Sequence, residues 1–205
     1  MKSKKKVFLT VLCAAALVVA SVLGTMAFLT STDTAENTFT VGNVAITLDE
    51  SPVDTAGNVV SGDRVDKNNY KLIPGHKYTK DPIIHVAQGS ENSWVFVKVV
   101  NNLEGAEADS VDNGYKNIDA QIKANGWEQL KDENGNDVAG VYYKSNVNAL
   151  DGAKDLKVFQ EFKAKDDLTT NDITAYNDQK IIVTGYAIQA DGFTTAKAAW
   201  DEVNQ

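Results

Sequence analysis

Trp94-Val95-Phe96-Val97-Lys98-Val99-Val100 decides the fold. Every position except Lys98 is β-branched or aromatic, which is strand composition, and apolar residues fall on both alternating faces. The stretch predicts a central strand with both faces covered.

Other elements follow by working outward from it. Ile181-Ile182-Val183-Thr184-Gly185-Tyr186-Ala187-Ile188-Gln189 reads as a second strong strand. Upstream, Pro74-Gly75 marks a turn, and Pro82 opens the strand Ile83-Ile84-His85-Val86, which Gln88-Gly89-Ser90 ends. Trp127-Glu128-Gln129-Leu130 and Val141-Tyr142-Tyr143 flank Asp132-Glu133-Asn134-Gly135-Asn136-Asp137, and Asn-Gly is a favoured hairpin turn. Leu156-Lys157-Val158-Phe159 with Phe162 reads as one further strand, its end not fixed by the pattern. Phe39, Val41, Val44, Ile46 and Leu48 recur mostly at two-residue spacing, shifted by Gly42-Asn43, as in a strand with a bulge. Residues 49–70 are loop and turn material with room for a short hairpin. Helix is expected at Ile118 to Ala124 and from Thr194 to Val203, the latter with Asp191-Gly192 and Thr194 as cap candidates. Strands separated by turn signals, with short helices in connections and at the C-terminus, predict a mainly β, jelly-roll-like antiparallel β-sandwich.

The N-terminus has a different character. Lys2, Lys4, Lys5 and Lys6 precede an uncharged run from Val7 to Thr32, the order of a secretory signal peptide. Thr25-Met26-Ala27 places small residues at the −3 and −1 positions, so cleavage is expected between Ala27 and Phe28. An uncleaved membrane anchor is the rival reading, because the run is long enough to cross a bilayer. The Thr- and Ser-rich residues after Ala27 carry no basic stop-transfer cluster, which suits cleavage better. The expected organisation is a signal peptide over 1–27, an N-terminal segment over 28–41 and a single jelly-roll domain over 42–205.

Charge and side-chain inventory narrow the function. The 205 residues hold 20 Lys and Arg against 28 Asp and Glu; beyond the signal the balance is 16 to 28, a net charge of −12. Such a surface repels phosphate backbones, so no nucleic-acid partner is expected. The one cysteine, Cys13, lies in the signal run, which leaves the remainder without disulfide or thiol chemistry. His76 and His85 are the only histidines, nine apart with Pro82 between them, and H-E-x-x-H is absent. They could approach each other across a turn with Asp81 as a third ligand, although a structural role suits each better. Counted from Asp132, the positions where a calcium loop requires Gly and Glu hold Asp137 and Tyr143, so a solvated turn is the better account of that acidic run. Asp109-Ser110-Val111-Asp112 and Asp166-Asp167 read as exposed loop acids. Nucleophile elbows, phosphate loops and dinucleotide fingerprints are missing. No enzyme activity, cofactor or metal is expected.

Several stretches resemble the TasA/camelysin family. They are Gly24 to Asp33, Asn37-Thr38-Phe39-Thr40-Val41-Gly42-Asn43-Val44, Leu72-Ile73-Pro74-Gly75 with Lys80-Asp81-Pro82, Trp94 to Val99, and Tyr186 to Phe193 leading to Ala199-Trp200. The resemblance implies a secreted biofilm-matrix protein of Gram-positive bacteria, released by a signal peptidase of the SipW type and assembled into fibres. It further implies that the freed N-terminal segment inserts as a strand into the next copy, possible accessory matrix proteins being further partners. Carried onto this sequence, the donor is about 28–41, with Phe28, Leu29, Phe39 and Val41 as the residues that fill apolar positions. Members of the camelysin type are described as metallopeptidases. The alternative function is a monomeric extracellular β-sandwich that binds carbohydrate or a cell-surface partner through exposed aromatics, with Trp127 and Tyr143 as the positions to inspect.

Overall fold

In the computed structural model, which describes residues 43–109 and 114–204, Val95, Phe96 and Val97 are all fully buried. They belong to β4 (Ser90–Asn101), and three consecutive buried residues require a covering layer on each side of the strand. On one side Val95, Val97 and Val99 join Ile84 and Val86 of β3 (Ile83–Val86), and on the other Phe96 meets Trp200 of the C-terminal helix at 5.3 Å between ring centroids. Val100, 40% exposed, lies beyond that cover, so the expectation of two covered faces holds as far as Val99.

Two antiparallel sheets form the body. One orders β1 (Ile46–Asp49), β3 and β7 (Lys154–Lys157). The other orders β5 (Glu128–Lys131), β6 (Asp137–Ala149), β4 and β9 (Ile181–Gln189). They stack face to face, and at Gly185 of β9 the approach is closest. A Cβ there would lie 3.2 Å from Ile84 Cδ1 and 3.5 Å from Ile46 Cδ1. A third, two-stranded pair joins β2 (Lys77–Thr79) to β8 (Glu161–Lys163), with Tyr78 opposite Phe162. The mainly β, antiparallel sandwich class expected from the sequence is the one observed. Among the described residues three short α-helices complete it: α1 (Ile118–Ala124), α2 (Thr170–Ala175) and α3 (Ala196–Val203).

Local chemistry explains the element ends. Asn117 caps α1 by accepting from Ala120 N at 2.9 Å, and Lys144 closes its far end by donating to the carbonyls of Asn125 and Gly126 at 2.8 Å each. The β5–β6 turn is organised by Asp132, whose Oδ1 accepts from the amides of Asn134 and Asn136 at 2.8 Å. Asp54 does the same for Ala56 and Asn58 in the small Val53–Val59 hairpin, which occupies the loop region where one had room.

Some expectations are corrected. The strand read through Leu156 to Phe162 is two strands in two sheets. Val158 and Phe159 are both buried, which consecutive residues of one half-covered strand cannot achieve, and the chain leaves β7 at that point. The cap of α3 is Thr195, accepting from Ala198 N at 3.2 Å, not Thr194 or Asp191-Gly192. Those earlier residues form a turn closed by the Phe193 amide on Ala190 O. Of the strand read through Phe39 to Leu48, only the part from Asn43 onward falls within the described residues, and it is regular from Ile46.

Glu107 ties the α1 corner to β4. Its carboxylate is buried and accepts from Tyr115 Oη (2.8 Å), Ile118 N (2.7 Å) and Asn101 Nδ2 (2.9 Å). Burial pushes its pKa up and the three donors pull it back. Two substitutions test this construction by denaturant unfolding. Glu107→Ala strands three donors and is expected to lower stability by roughly 3 kcal/mol. Gly185→Val overfills the sheet interface and is expected to lower it by roughly 1–3 kcal/mol.

Candidate strand-acceptor edge

Of the four outermost strands in the two main sheets, three carry charge. β5 reads Glu-Gln-Leu-Lys, β7 Lys-Asp-Leu-Lys, and β1 ends on Asp49. β9 is nine residues long and has none. Charged side chains are the usual guard against strand addition, so β9 is the unguarded edge.

The hydrogen-bond register shows which groups are open. Asn102 N donates to Lys180 O and Ala190 N donates to Asn92 O, while the β4–β9 pairing runs without a shift from Ser93–Gln189 to Asn101–Ile181. Even-numbered residues of β9 therefore bond to β4. The backbone N–H and C=O of Ile181, Val183, Gly185, Ala187 and Gln189 face outward, and no described residue bonds them. At roughly 3.3 Å per residue this edge is about 30 Å long.

A cleft of about 710 Å³ opens at the Ile181 end. Tyr70, Leu72, Leu103, Phe162 and Val183 line it together with the buried Glu50 and its partner Lys80, whose Nζ–Oε2 distance is 2.9 Å. Lys67, Lys71 and Lys180 also line it. Burial, reinforced by the Glu50 charge, holds the Tyr70 phenol far above its ordinary pKa, so it stays neutral and donates to Thr79 O at 3.0 Å.

The histidines lie elsewhere and apart. His76 donates Nε2–H to Ala56 O at 2.6 Å. His85 stands on the outward face of β3 and donates Nδ1–H to Asp155 (2.7 Å) and Nε2–H to Asp49 (3.0 Å), so both ring nitrogens serve carboxylates. Arg64 bonds Asp49 and Asp81 beside it. Burial alone would lower the His85 pKa, but its hydrogen bonds to Asp155 and Asp49 raise it above the ordinary value of 6.5. Asp49, likewise opposed by burial, is held low by Arg64 and His85.

This cluster does not suit a zinc ion. A doubly donating imidazolium offers no lone pair, and a guanidinium occupies the adjacent carboxylates. Asp81 serves Ser51 and Arg64 rather than joining the histidines. No group of three or more His, Cys, Asp or Glu among the described residues could hold a metal ion. The Asp132 carboxylate is spent on its own turn, with Asn136 Nδ2 the chief cause of its lowered pKa.

Trp127 and Tyr143 do not form a sugar platform. Trp127 is buried, donating Nε1–H to Lys157 O at 2.7 Å. Tyr143 is half-buried, and its ring is tilted 53° to Trp94 and 44° to Phe96 beside the α3 layer. Ala27, Phe28, Leu29, Phe39 and Val41, the cleavage and donor positions, lie outside the described residues.

The family model for camelysin metallo-endopeptidase matches residues 2–75. The N-terminal part of the chain is camelysin-like. The camelysin-like stretch contains Gly24 to Asp33, Asn37 to Val44 and Leu72 to Gly75, so the resemblance read from those residues holds. No curated protein and no solved structure matches the chain. Among the described residues no helix is long and apolar enough to cross a membrane.

The His85 cluster predicts a pH dependence. Its raised pKa gives stability that is complete below about 6.5 and is lost as pH rises through the higher folded value. Asp49, held low, gives stability present above about 3.8 that is lost as pH falls through its folded value. His85→Ala is therefore expected to cost about 1 kcal/mol or less near pH 5.5, given the partial exposure of the cluster, and to flatten the decline between pH 6 and 9. Thermal unfolding across that range checks it.

Proposed function

We propose that the chain is a secreted structural subunit of extracellular matrix fibres, polymerised by donation of residues 28–41 to the next copy. The observation that carries this reading is the uncharged edge of β9, with five outward backbone pairs beside an apolar-floored cleft. Strand addition supplies affinity through the ladder and specificity through alternate side chains. Because donor and acceptor are different surfaces, repetition gives an open filament rather than a closed ring. The camelysin-like N-terminal part supports export and the family's matrix role, and cleavage after Ala27 by a SipW-type peptidase would free the donor. The subunit's partners are then copies of itself, with accessory matrix proteins beside them. The reading is structural rather than enzymatic, in keeping with histidines committed to backbone and carboxylate partners.

Electron microscopy and size-exclusion chromatography on 28–205 and 42–205 test it. The longer chain is expected to form filaments and the shorter to stay folded and monomeric. Ala187→Pro in 28–205 removes one outward N–H and leaves the bonds to β4 in place, so it is expected to block filaments without unfolding the subunit. Thr184→Lys, which adds a guarding charge, is expected to act in the same direction. Folded monomers from 28–205 over a range of pH and salt, or filaments from Ala187→Pro as abundant as from the parent, would overturn the proposal.

A further inference from the structure

The geometry points to the cleft beside Ile181 as a binding site for a neutral oligosaccharide, with Glu50 and Lys80 at its floor taking one ligand hydroxyl between them. The site is independent of strand donation.

Glu50 is the unusual residue in this cleft. It is 6% exposed, so its carboxylate stands almost wholly out of water. Lys80 Nζ holds Oε2 at 2.9 Å, and no described residue donates to Oε1. The fully buried side-chain polar atoms without a partner among the described residues are Asn92 Oδ1 and Trp94 Nε1. Oε1 is therefore not sealed in, and it opens on the cleft that Glu50 lines. A carboxylate oxygen with no donor in so dry a place is costly, and a ligand that donates to it removes that cost. Lys80 Nζ carries three protons, of which Glu50 takes one, and it lies 5.9 Å from the centroid of the Tyr70 ring. The floor thus offers an acceptor and a donor side by side.

That pairing selects the chemistry of the ligand. A carboxylate or phosphate would gain Lys80 but meet Glu50, and an ammonium would gain Glu50 but meet Lys80. A wholly apolar chain would cover both and satisfy neither. A hydroxyl donates to Oε1 and accepts from Nζ through one oxygen atom. The exposed lining repeats the balance. Lys67, Lys71 and Lys180 stand there with Asp66 and Asp178, so with the floor pair the cleft holds four cations and three anions. Neither sign of ligand charge is strongly favoured.

The remaining lining calls for an apolar surface. Tyr70, Leu72, Leu103 and Ile173 are all half-buried along the cleft. Tyr70 is held in place, its hydroxyl donating to Thr79 O at 3.0 Å and its ring meeting Tyr78 edge-on at 5.7 Å. Tyr176 is seated with its hydroxyl against Gly105, where any Cβ would collide. A pyranose has C–H faces for such side chains and hydroxyls around its edge, so one ring meets both kinds of lining. A peptide divides donor and acceptor between two backbone atoms and suits the floor pair less well. The volume of about 710 Å³ lies in the range of sites for small ligands.

Isothermal titration with cellotetraose, maltotetraose and chitotetraose tests the site on 28–205, which contains every residue of both described cores. Freshly isolated monomer is used, because a strand laid on β9 would share the border at Ile181 and Val183. At least one of the three sugars is expected to bind, and Glu50→Met/Lys80→Met is expected to weaken it by about tenfold or more. The double replacement removes both charges together and strands neither, so circular dichroism is expected to show the parent fold. Footprinting needs no variant. Bound sugar is expected to protect Lys71 and Lys180 from acetylation, read by mass spectrometry, while Lys154 and Lys157 of β7 react as before.

Binding by none of the three sugars overturns the proposal. Binding that the folded double variant retains in full, or that leaves Lys71 and Lys180 as reactive as in the free protein, overturns its place in the cleft. Should the double variant not fold, the footprint alone decides. Protection by a capped alanine tetrapeptide and by no sugar overturns the saccharide class and gives the cleft to a peptide. Filament formation is not a readout in any arm, so the strand-donation reading stands or falls separately.

Discussion

Val95, Phe96 and Val97 lie entirely out of water, and a strand can arrange that only between two layers. One layer is the β1–β3–β7 sheet and the other is α3, so the four-stranded sheet that carries β4 is the middle of three layers. A middle sheet cannot curl freely to close on itself, since both its faces are already fixed. Its two lateral strands must end the hydrogen-bonded ladder somehow. β5 ends it with Glu128 and Lys131, and β9 ends it with nothing charged.

The charged cluster on the other sheet shows how differently an edge can be treated. Asp49 of β1 and Asp155 of β7 are joined through His85 on the strand between them, and Arg64 fastens β1 to the Asp81 corner. These contacts are partly exposed, and each adds little stability alone. Together they place polar, salt-bridged side chains along both edges of that sheet. Among the lateral strands of the two main sheets in the described residues, β9 alone carries neither charge nor ion pair.

Much of this architecture was legible in the sequence, for local reasons. Ile118–Ala124 and Ile181–Gln189 have the bounds expected from their patterns, because periodicity and flanking turns mark them unambiguously. The Asn134-Gly135 turn was legible from two residues. α2 was overlooked although Thr169 and Asp172 form a capping box, since a helix with no buried residue has no apolar period to detect. β2 is three residues between two turns and depends on Phe162, more than eighty positions away, for its existence. The uncharged edge was half visible. The lack of charge in β9 can be read directly, but its place at the end of the order β5-β6-β4-β9 is a property of pairing partners far apart in the chain. The cleft likewise joins residues near 70 to residues near 180, and no local pattern announces it.

An unguarded edge nine residues long is an aggregation hazard unless something selects which strand may occupy it. Two features of this chain supply the selection. Beyond residue 27 the net charge is −12, so copies repel one another at distances up to a screening length of about 8 Å at physiological salt, and casual edge-to-edge encounter is disfavoured. The edge also lacks a mirror partner. Pairing β9 with a second β9 would bring two clefts, each with its lysines, to opposite ends of an antiparallel ribbon and leave both apolar floors open. A strand with a bulky apolar residue at the cleft end and small residues against Gly185 would both complete the ladder and fill the floor. Repulsion between whole copies and the shape of a single edge thus pull in different directions: the first suppresses aggregation in general, and the second would let one fitting contact prevail over it.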